Sequence, residues 1–277
     1  MTRRLRVSGL GIRDLGFVIA VSATTMAFAC NRHVRVLRVC ADPNNLPFSN
    51  SRLEGFENKL ADLVAAELHA SVEYTWWAQR RGYVRNTIGA GSCDVLMGVP
   101  SRFERTLVTR PYYRSSYVFV ARADGPRVRS LDDPVLRRVR VGVQLIGDDG
   151  KNSPAAHALA ARHIVTNVVG YSVYGDYLQP NPPARIIDAV ARRDISVAVV
   201  WGPLAGYFAA KQPIALTLTP LTPQVDSALP FAFDISVGVA RRAHALRDEI
   251  DAALARRAAD IDRLLDAYHI PRVDRGQ

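Results

Sequence analysis

Lysine is scarce in this chain. Lys59, Lys151 and Lys211 are the only three among 36 basic residues, so the positive charge is almost wholly Arg. Cysteine is scarce too: three in 277 residues, with no C-x-x-C and no His/Cys grouping at zinc spacing. A zinc centre of that kind is therefore excluded. No nucleophile elbow, phosphate loop or dinucleotide fingerprint occurs. The six His (His33, His69, His157, His163, His244 and His269) all fall outside the strand-end loops where catalysis is expected. Asp42 and Glu104 could act as an acid/base pair only if folding brought them together. No stretch alternates Arg with aromatics as a single-strand nucleic-acid groove does, so a nucleic-acid partner is not expected. The one apolar run near an end, Leu15 to Ala29, is shorter than the roughly 20 residues a spanning helix needs, so no stable membrane span is expected.

That run has another meaning. Arg3, Arg4, Arg6 and Arg13 form a positive region ahead of it, and it closes on Ala27-Phe28-Ala29, a small-x-small cleavage site. Residues 1–29 read as a signal peptide, which places the mature chain in the periplasm. Arg6 occupies a position that twin-arginine export keeps apolar, so the general export route fits better. Cys30 follows the cleavage site directly and makes a lipoprotein the alternative fate, although Ala27 and Phe28 form a poor lipobox. Removing the leader's four Arg and Asp14 lowers the formal charge from +10 to +7. A basic protein in that compartment suits an acidic protein partner. Export also permits Cys40 and Cys93 to pair as a disulfide; two isolated buried thiols are the alternative.

The mature chain alternates strands and helices. Leu37 to Ala41 reads as a strand. Phe56, Leu60, Leu63, Val64 and Leu68 make one helical stripe. Val72–Trp77 is a strand, Gly82–Gly91 a short helix and Asp94–Val99 a buried strand. Tyr117–Ala121 is a further strand, and the chain breaks after it. The alternation restarts with a strand at Val139–Val143. Ser153-Pro154 opens a helix to about His163, with Ser as cap and Pro at the first turn. Strands at Ile164–Val169 and Ile195–Trp201 flank a helix marked by Ile186, Ile187 and Val190, and Pro203–Lys211 is helical. Thr217–Pro230 holds three Pro and reads as an irregular crossing. Phe231–Val239 is a strand, and Ala243–Tyr268 one long helix with Leu246, Ile250, Leu254, Ile261, Leu264 and Leu265 inward. Strand–helix alternation of this kind gives α/β lobes with parallel sheets covered by helices. The division is 34–121 for the first part of lobe 1, 122–225 for lobe 2 and 226–277 for a return to lobe 1. Two crossings, near 121–126 and 219–230, form a hinge with a cleft between the lobes.

Several motifs resemble a known group. Ala41-Asp42, Pro47-Phe48, Gly55-Phe56, Cys93-Asp-Val-Leu-Met-Gly98, Arg105, Pro111-Tyr112 and Val141-Gly-Val-Gln144 follow the polar-amino-acid-type periplasmic binding proteins, extracellular solute-binding family 3. A narrower likeness rests on Cys40 to Asn50, Trp76 to Asn86, Pro111 to Val120 and Val199 to Phe208. These resemble the quinoprotein-dehydrogenase-associated binding proteins of the MoxJ/XoxJ type. The resemblance implies a type II periplasmic-binding-protein fold, two α/β lobes on a two-strand hinge. It implies a non-catalytic accessory to a PQQ-dependent alcohol dehydrogenase, usually a methanol dehydrogenase, with no cofactor of its own. Capture of a small polar or anionic solute for an ABC transporter is the second reading, and a dehydratase-like enzyme on the same fold a third.

Candidate cleft or partner-binding residues follow from both arguments. Asp42, Asn44 and Asn45 follow the first strand and either line the cleft or supply turn chemistry. Phe48 and Gly98 sit at strand-end positions. Trp76 and Trp77 point to opposite faces, leaving Trp77 for the cleft or a partner beside Arg80 and Arg81; core packing of both is the alternative. Arg102 and Arg105 offer an anion grip or a solvated surface. Trp201 and Tyr207 shape a second-lobe wall, or Tyr207 packs. Gly147-Asp-Asp-Gly150 supplies too few ligands for calcium. In the amino-acid-binding relatives, the carboxylate that holds the ligand ammonium falls on Trp201 here, and the sandwiching aromatics fall on Asn45 and Arg81. Standard α-amino acids should therefore bind poorly. Micromolar binding of any of them by titration calorimetry would refute that expectation.

Overall fold

The computed structural model describes residues 35–80, 82–145, 152–172 and 177–274. The proposed signal peptide, Cys30, Arg81 and the Gly147–Gly150 loop lie outside them. The chain first forms β1 (Arg35–Ala41), the short β2 (Asn44–Asn45) and β3 (Ser49–Asn50), α1 (Phe56–Glu67) and β4 (Ala70–Trp76). Next come α2 (Tyr83–Asn86), β5 (Val95–Pro100), β6 (Leu107–Val108) and β7 (Tyr113–Arg122). Then follow β8 (Val141–Leu145), α3 (Pro154–Ala161), β9 (Val168–Ser172), α4 (Arg185–Ala191) and β10 (Val197–Trp201). The last elements are α5 (Gly202–Ala209), β11 (Leu216–Pro220), β12 (Val225–Asp226), β13 (Leu229–Pro230), β14 (Ala232–Val239), α6 (His244–Arg256) and α7 (Ala258–Ala267).

Lobe 1 is built on β4-β1-β5, all parallel, with β14 antiparallel to β5. Leu37, Val39, Val95 and Val237 face a core completed by Phe56, Leu60 and Val64 of α1 and by Ile250, Ile261 and Leu265 of the last two helices. The other face carries a smaller cluster around Cys40, Ile88, Cys93 and Leu96. There Cys40 is bonded to Cys93, with Cα atoms 5.6 Å apart. Lobe 2 places β8 between β9 and β10, all parallel, and β7 antiparallel to β10. Its sheet is apolar on both faces, as expected where helices cover both sides. Ser153 caps α3, its Oγ accepting from the Ala156 N–H at 3.3 Å.

One strand serves both sheets. Tyr113–Ser116 of β7 pair with β14, and Tyr117–Ala121 pair with β10. The change of partner falls upstream of the crossing expected near 121–126. β14 makes the complementary change, pairing β7 through Ala232–Ile235 and β5 through Ile235–Val239. Across this join Arg114 and Asp234 stand in register and bond at 3.1 Å. Behind it, the segment after α7 lies so close to α5 that a Cβ on Gly206 would collide with the His269 carbonyl. Ser115 Oγ donates to the Pro271 carbonyl there at 2.6 Å. In front, Tyr177 Oη donates to Asp42 at 2.7 Å, and Asn44 Nδ2 donates to the Gln179 carbonyl at 2.8 Å.

Several elements differ from those expected from the sequence. Thr217–Pro230 is largely strand: β11 pairs β7, and β12 pairs β13. Leu216 and Leu218 pack on the lobe 2 core, an alternation that the prolines obscured. The Gly82–Gly91 helix is only the four-residue α2 and a separate turn, since Thr87 leaves helical geometry. The strand placed at 164–169 begins at Val168. The long C-terminal helix breaks at Arg257. Adjacent helical residues diverge, yet Arg256 and Arg257 both grip Glu67 at 2.7 Å, which the break allows. No helix among the described residues is long and apolar enough to cross a membrane.

The disulfide closes a loop of 53 residues' separation. Cys40→Ser combined with Cys93→Ser should cost roughly 2–4 kcal/mol, read as a lower urea midpoint under oxidising conditions. An unchanged midpoint would contradict a stabilising cross-link.

Candidate ligand cleft

The join between the lobes is aromatic because of register. Tyr117 and Trp201 are direct partners across β7 and β10, with ring centroids 5.5 Å apart. Phe233 of β14 meets Trp201 edge-on at 5.7 Å. With Phe48 and Tyr113 from lobe 1 they line a cavity of about 400 Å³. Its polar lining is Asn45, Glu57, Gln79, Gln144 and Ser153. Gln144 is held by its Oε1, which accepts the Trp201 N–H at 3.1 Å. Asn45 Nδ2 donates to Gln79 Oε1 at 2.8 Å. A second cavity of about 500 Å³ opens on the lobe 1 side and is lined by Asp42, Arg80, Tyr83, Arg85 and Arg105. Glu57, Gln79, Gly98 and Pro100 form a wall common to both.

Glu57 is the centre of that wall. It is the second residue of α1, whose start is fixed by Asn58: its Oδ1 accepts from the N–H groups of Gly55 at 3.1 Å and Asn50 at 3.2 Å. The Glu57 side chain lies flat on Gly98, where any Cβ would collide with its Oε1. Burial pushes this carboxyl up to about 8. No Arg, Lys or His among the described residues lines the aromatic cavity with it.

Residues 37–270 match the family described as bacterial extracellular solute-binding proteins, family 3. The chain belongs to that family. It is 30% identical over 244 residues to Protein MoxJ of Methylorubrum extorquens, covering 85% of this chain and 81% of that one. It is 31% identical to Protein MoxJ of Paracoccus denitrificans, over 85% of this chain and 88% of that one. Among solved structures, the periplasmic binding protein XoxJ from Methylobacterium extorquens AM1 superposes with a TM-score of 0.70 at 33% identity, over 86% of this chain and 99% of the other. The two-lobed α/β architecture is the one these family members share.

On this family-3 frame the expected site residues separate. Asn45, Phe48, Gly98 and Trp201 line the aromatic cavity. Asp42 is buried and organises its own loop. Its Oδ1 accepts the Asn44 N–H at 2.8 Å, and its Oδ2 accepts the Gln79 N–H at 2.6 Å as well as the Tyr177 hydroxyl. Turn chemistry and a cleft position are thus both realised, and Asn44 reaches across to lobe 2 rather than into the cavity. Arg105 lines the side cavity, beyond the Glu57 wall, while Arg102 is exposed and lines neither. Trp77 is 40% exposed outside both cavities, because it follows the edge strand β4 and it is Trp76 that stacks on Tyr74 at 4.6 Å. Tyr207 faces away: it stacks on Tyr268 at 5.7 Å, with the Lys211 ammonium 4.5 Å from its ring.

Glu57, Gln79, Tyr113, Tyr117, Gln144 and Phe233 were not among the expected residues. A local signal existed for one. A glycine inside the apolar strand Val95–Pro100 marks a close approach, and Glu57 is what approaches. Gln144 and Phe233 become neighbours of it only through the sheet order.

A carboxyl whose folded-state value lies above its unfolded value near 4.5 costs stability as pH rises. Below 4.5 both states hold the proton. Between about 4.5 and 8 the unfolded state ionises first and stability falls. Glu57→Gln should match the parent at pH 4 and exceed it by about 1–3 kcal/mol at pH 8.5, measured by urea unfolding. Equal stability at both pH values would contradict a desolvated carboxyl.

Proposed function

We propose that this chain is a non-catalytic periplasmic binding protein serving a PQQ-dependent methanol or alcohol dehydrogenase, whose maturation or activation it aids. Its cleft or rim holds a segment of the immature enzyme while cofactor or metal enters. The quinone and the metal belong to the partner. The observation that carries this reading is the aromatic inter-lobe cavity. By the family likeness Trp201 stands where amino-acid-binding relatives keep a carboxylate, and Arg105 lines the side cavity rather than the aromatic one. Among the described residues this pocket has no Arg to grip an α-carboxylate, while the rim at Arg80 and Arg85 presents positive charge to an acidic surface. The likeness to the MoxJ proteins and to periplasmic XoxJ supports the same reading, and the leader at 1–29 supplies export.

The cavity's size, suited to a small solute, keeps solute capture for a transporter as a second reading. Tagged mature protein incubated with periplasmic extract from alcohol-grown cells separates the two. Stoichiometric recovery of a quinoprotein dehydrogenase is the expected result. A small molecule recovered without dehydrogenase would overturn the accessory role. Charge reversal by Arg80→Glu with Arg81→Glu should weaken the complex at least tenfold, and unchanged affinity would reject docking on that rim.

A further inference from the structure

Among the described residues, the aromatic cavity is lined by one carboxyl and five rings. Glu57 contributes the carboxyl, and Phe48, Tyr113, Tyr117, Trp201 and Phe233 the rings. Its carboxylate has no hydrogen-bond or ion-pair partner among the described residues. An unpaired carboxylate beside aromatic faces attracts a cation twice over, by charge and by the ring quadrupoles. Once ionised, the same carboxylate repels an anionic ligand. From this geometry we infer that the cavity is a receptor for an organic ammonium group, with Glu57 as its counter-ion and Tyr117, Trp201 and Phe233 as its aromatic wall. The inference rests on reading the inter-lobe cavity as the binding cleft. It replaces the polar or anionic solute expected from sequence with a cationic one. The ammonium can arrive on a free alkylamine or on a lysine side chain of a docked segment.

Binding has a proton signature. In the empty cavity burial holds Glu57 largely protonated at pH 7. A bound cation stabilises the ionised form, so the proton must leave to solvent as the ligand enters. The groups around Glu57 do not obscure this. Tyr74 of β4, Tyr83 of α2, and Tyr112 and Tyr113 at the start of β7 are all raised by burial, with the Glu57 charge adding to it. They stay neutral over the range tested. Across the shared wall stand Asp42 at the end of β1 and Arg80, Arg85 and Arg105 in the side cavity.

The test is calorimetric titration of the mature protein with tetramethylammonium, n-butylammonium and N-acetyl-lysine N-methylamide, with n-butanol as the uncharged control. Binding of the ammonium probes but not n-butanol is expected, tightening at least fivefold from pH 6.5 to 8.5. Heats in buffers of different ionisation enthalpy should report release of close to one proton at pH 7. Glu57→Gln should abolish both the affinity and the proton release, and Trp201→Ala should weaken binding tenfold or more with proton release retained. Preference for the lysine derivative over the alkylammonium ions assigns a segment of a partner; the reverse assigns a free amine. No binding up to 20-fold above the millimolar range typical of weak sites (~1 mM), or binding unchanged by Glu57→Gln, overturns the inference. Dehydrogenase recovery in the extract experiment would stand regardless, so failure here is distinct from failure of the accessory role.

Discussion

A single strand carries the architecture. β7 divides its hydrogen bonds between two sheets, the first half to β14 and the second to β10. The candidate site gathers where the division occurs. Tyr113, the last inward ring of lobe 1, and Tyr117, the first of lobe 2, lie on the same continuous backbone. Trp201 reaches the same place because β10 is in register with β7, and Phe233 because β14 is. The aromatic cavity is therefore a product of strand register at a hinge, not of a loop wrapped around a ligand.

That origin explains which parts were legible in the chain. The helical stripe at Phe56–Leu68, the cap at Ser153-Pro154 and the apolar strand before Trp201 are local patterns with local causes, and each produced the expected element. The hidden parts depend on partners far away in sequence. β11 reads as irregular until β7 is beside it. The last helix reads as unbroken, yet its break at Arg257 lets two successive Arg residues reach the carboxylate of Glu67. Among site residues, Trp201 and Phe48 were accessible through strand-end position and family likeness. Tyr207, in contrast, shares Trp201's motif but follows it onto a helix whose small-residue side, Gly202 and Gly206, is pressed against the C-terminal segment. Its ring packs onto that segment too, stacking on Tyr268.

The polar features of the cleft divide the labour between holding and receiving. Asp42 is fully engaged, its two oxygens committed to the turn, to Gln79 and to Tyr177. It fixes the front of the lobes and has little capacity left for a ligand. Glu57 is the opposite case: desolvated, lying on Gly98 and without a counter-charge among the described residues. An ionisable group kept in that condition lowers the stability of the empty protein at neutral pH, a cost that an occupant of suitable charge relieves. Stability and occupancy are coupled through one carboxyl.

The Cys40–Cys93 bond has a topological side. The chain between those residues contains Phe48, and with it Asn45, Glu57 and Gln79, which supply much of the polar lining that lobe 1 contributes to the cavity. That stretch is a covalent ring. A protease cut anywhere within it, including the exposed turn at Trp77, leaves both new ends tied to the same two strands. After a single nick the wall of the cleft thus stays covalently joined until the ring is opened by reduction.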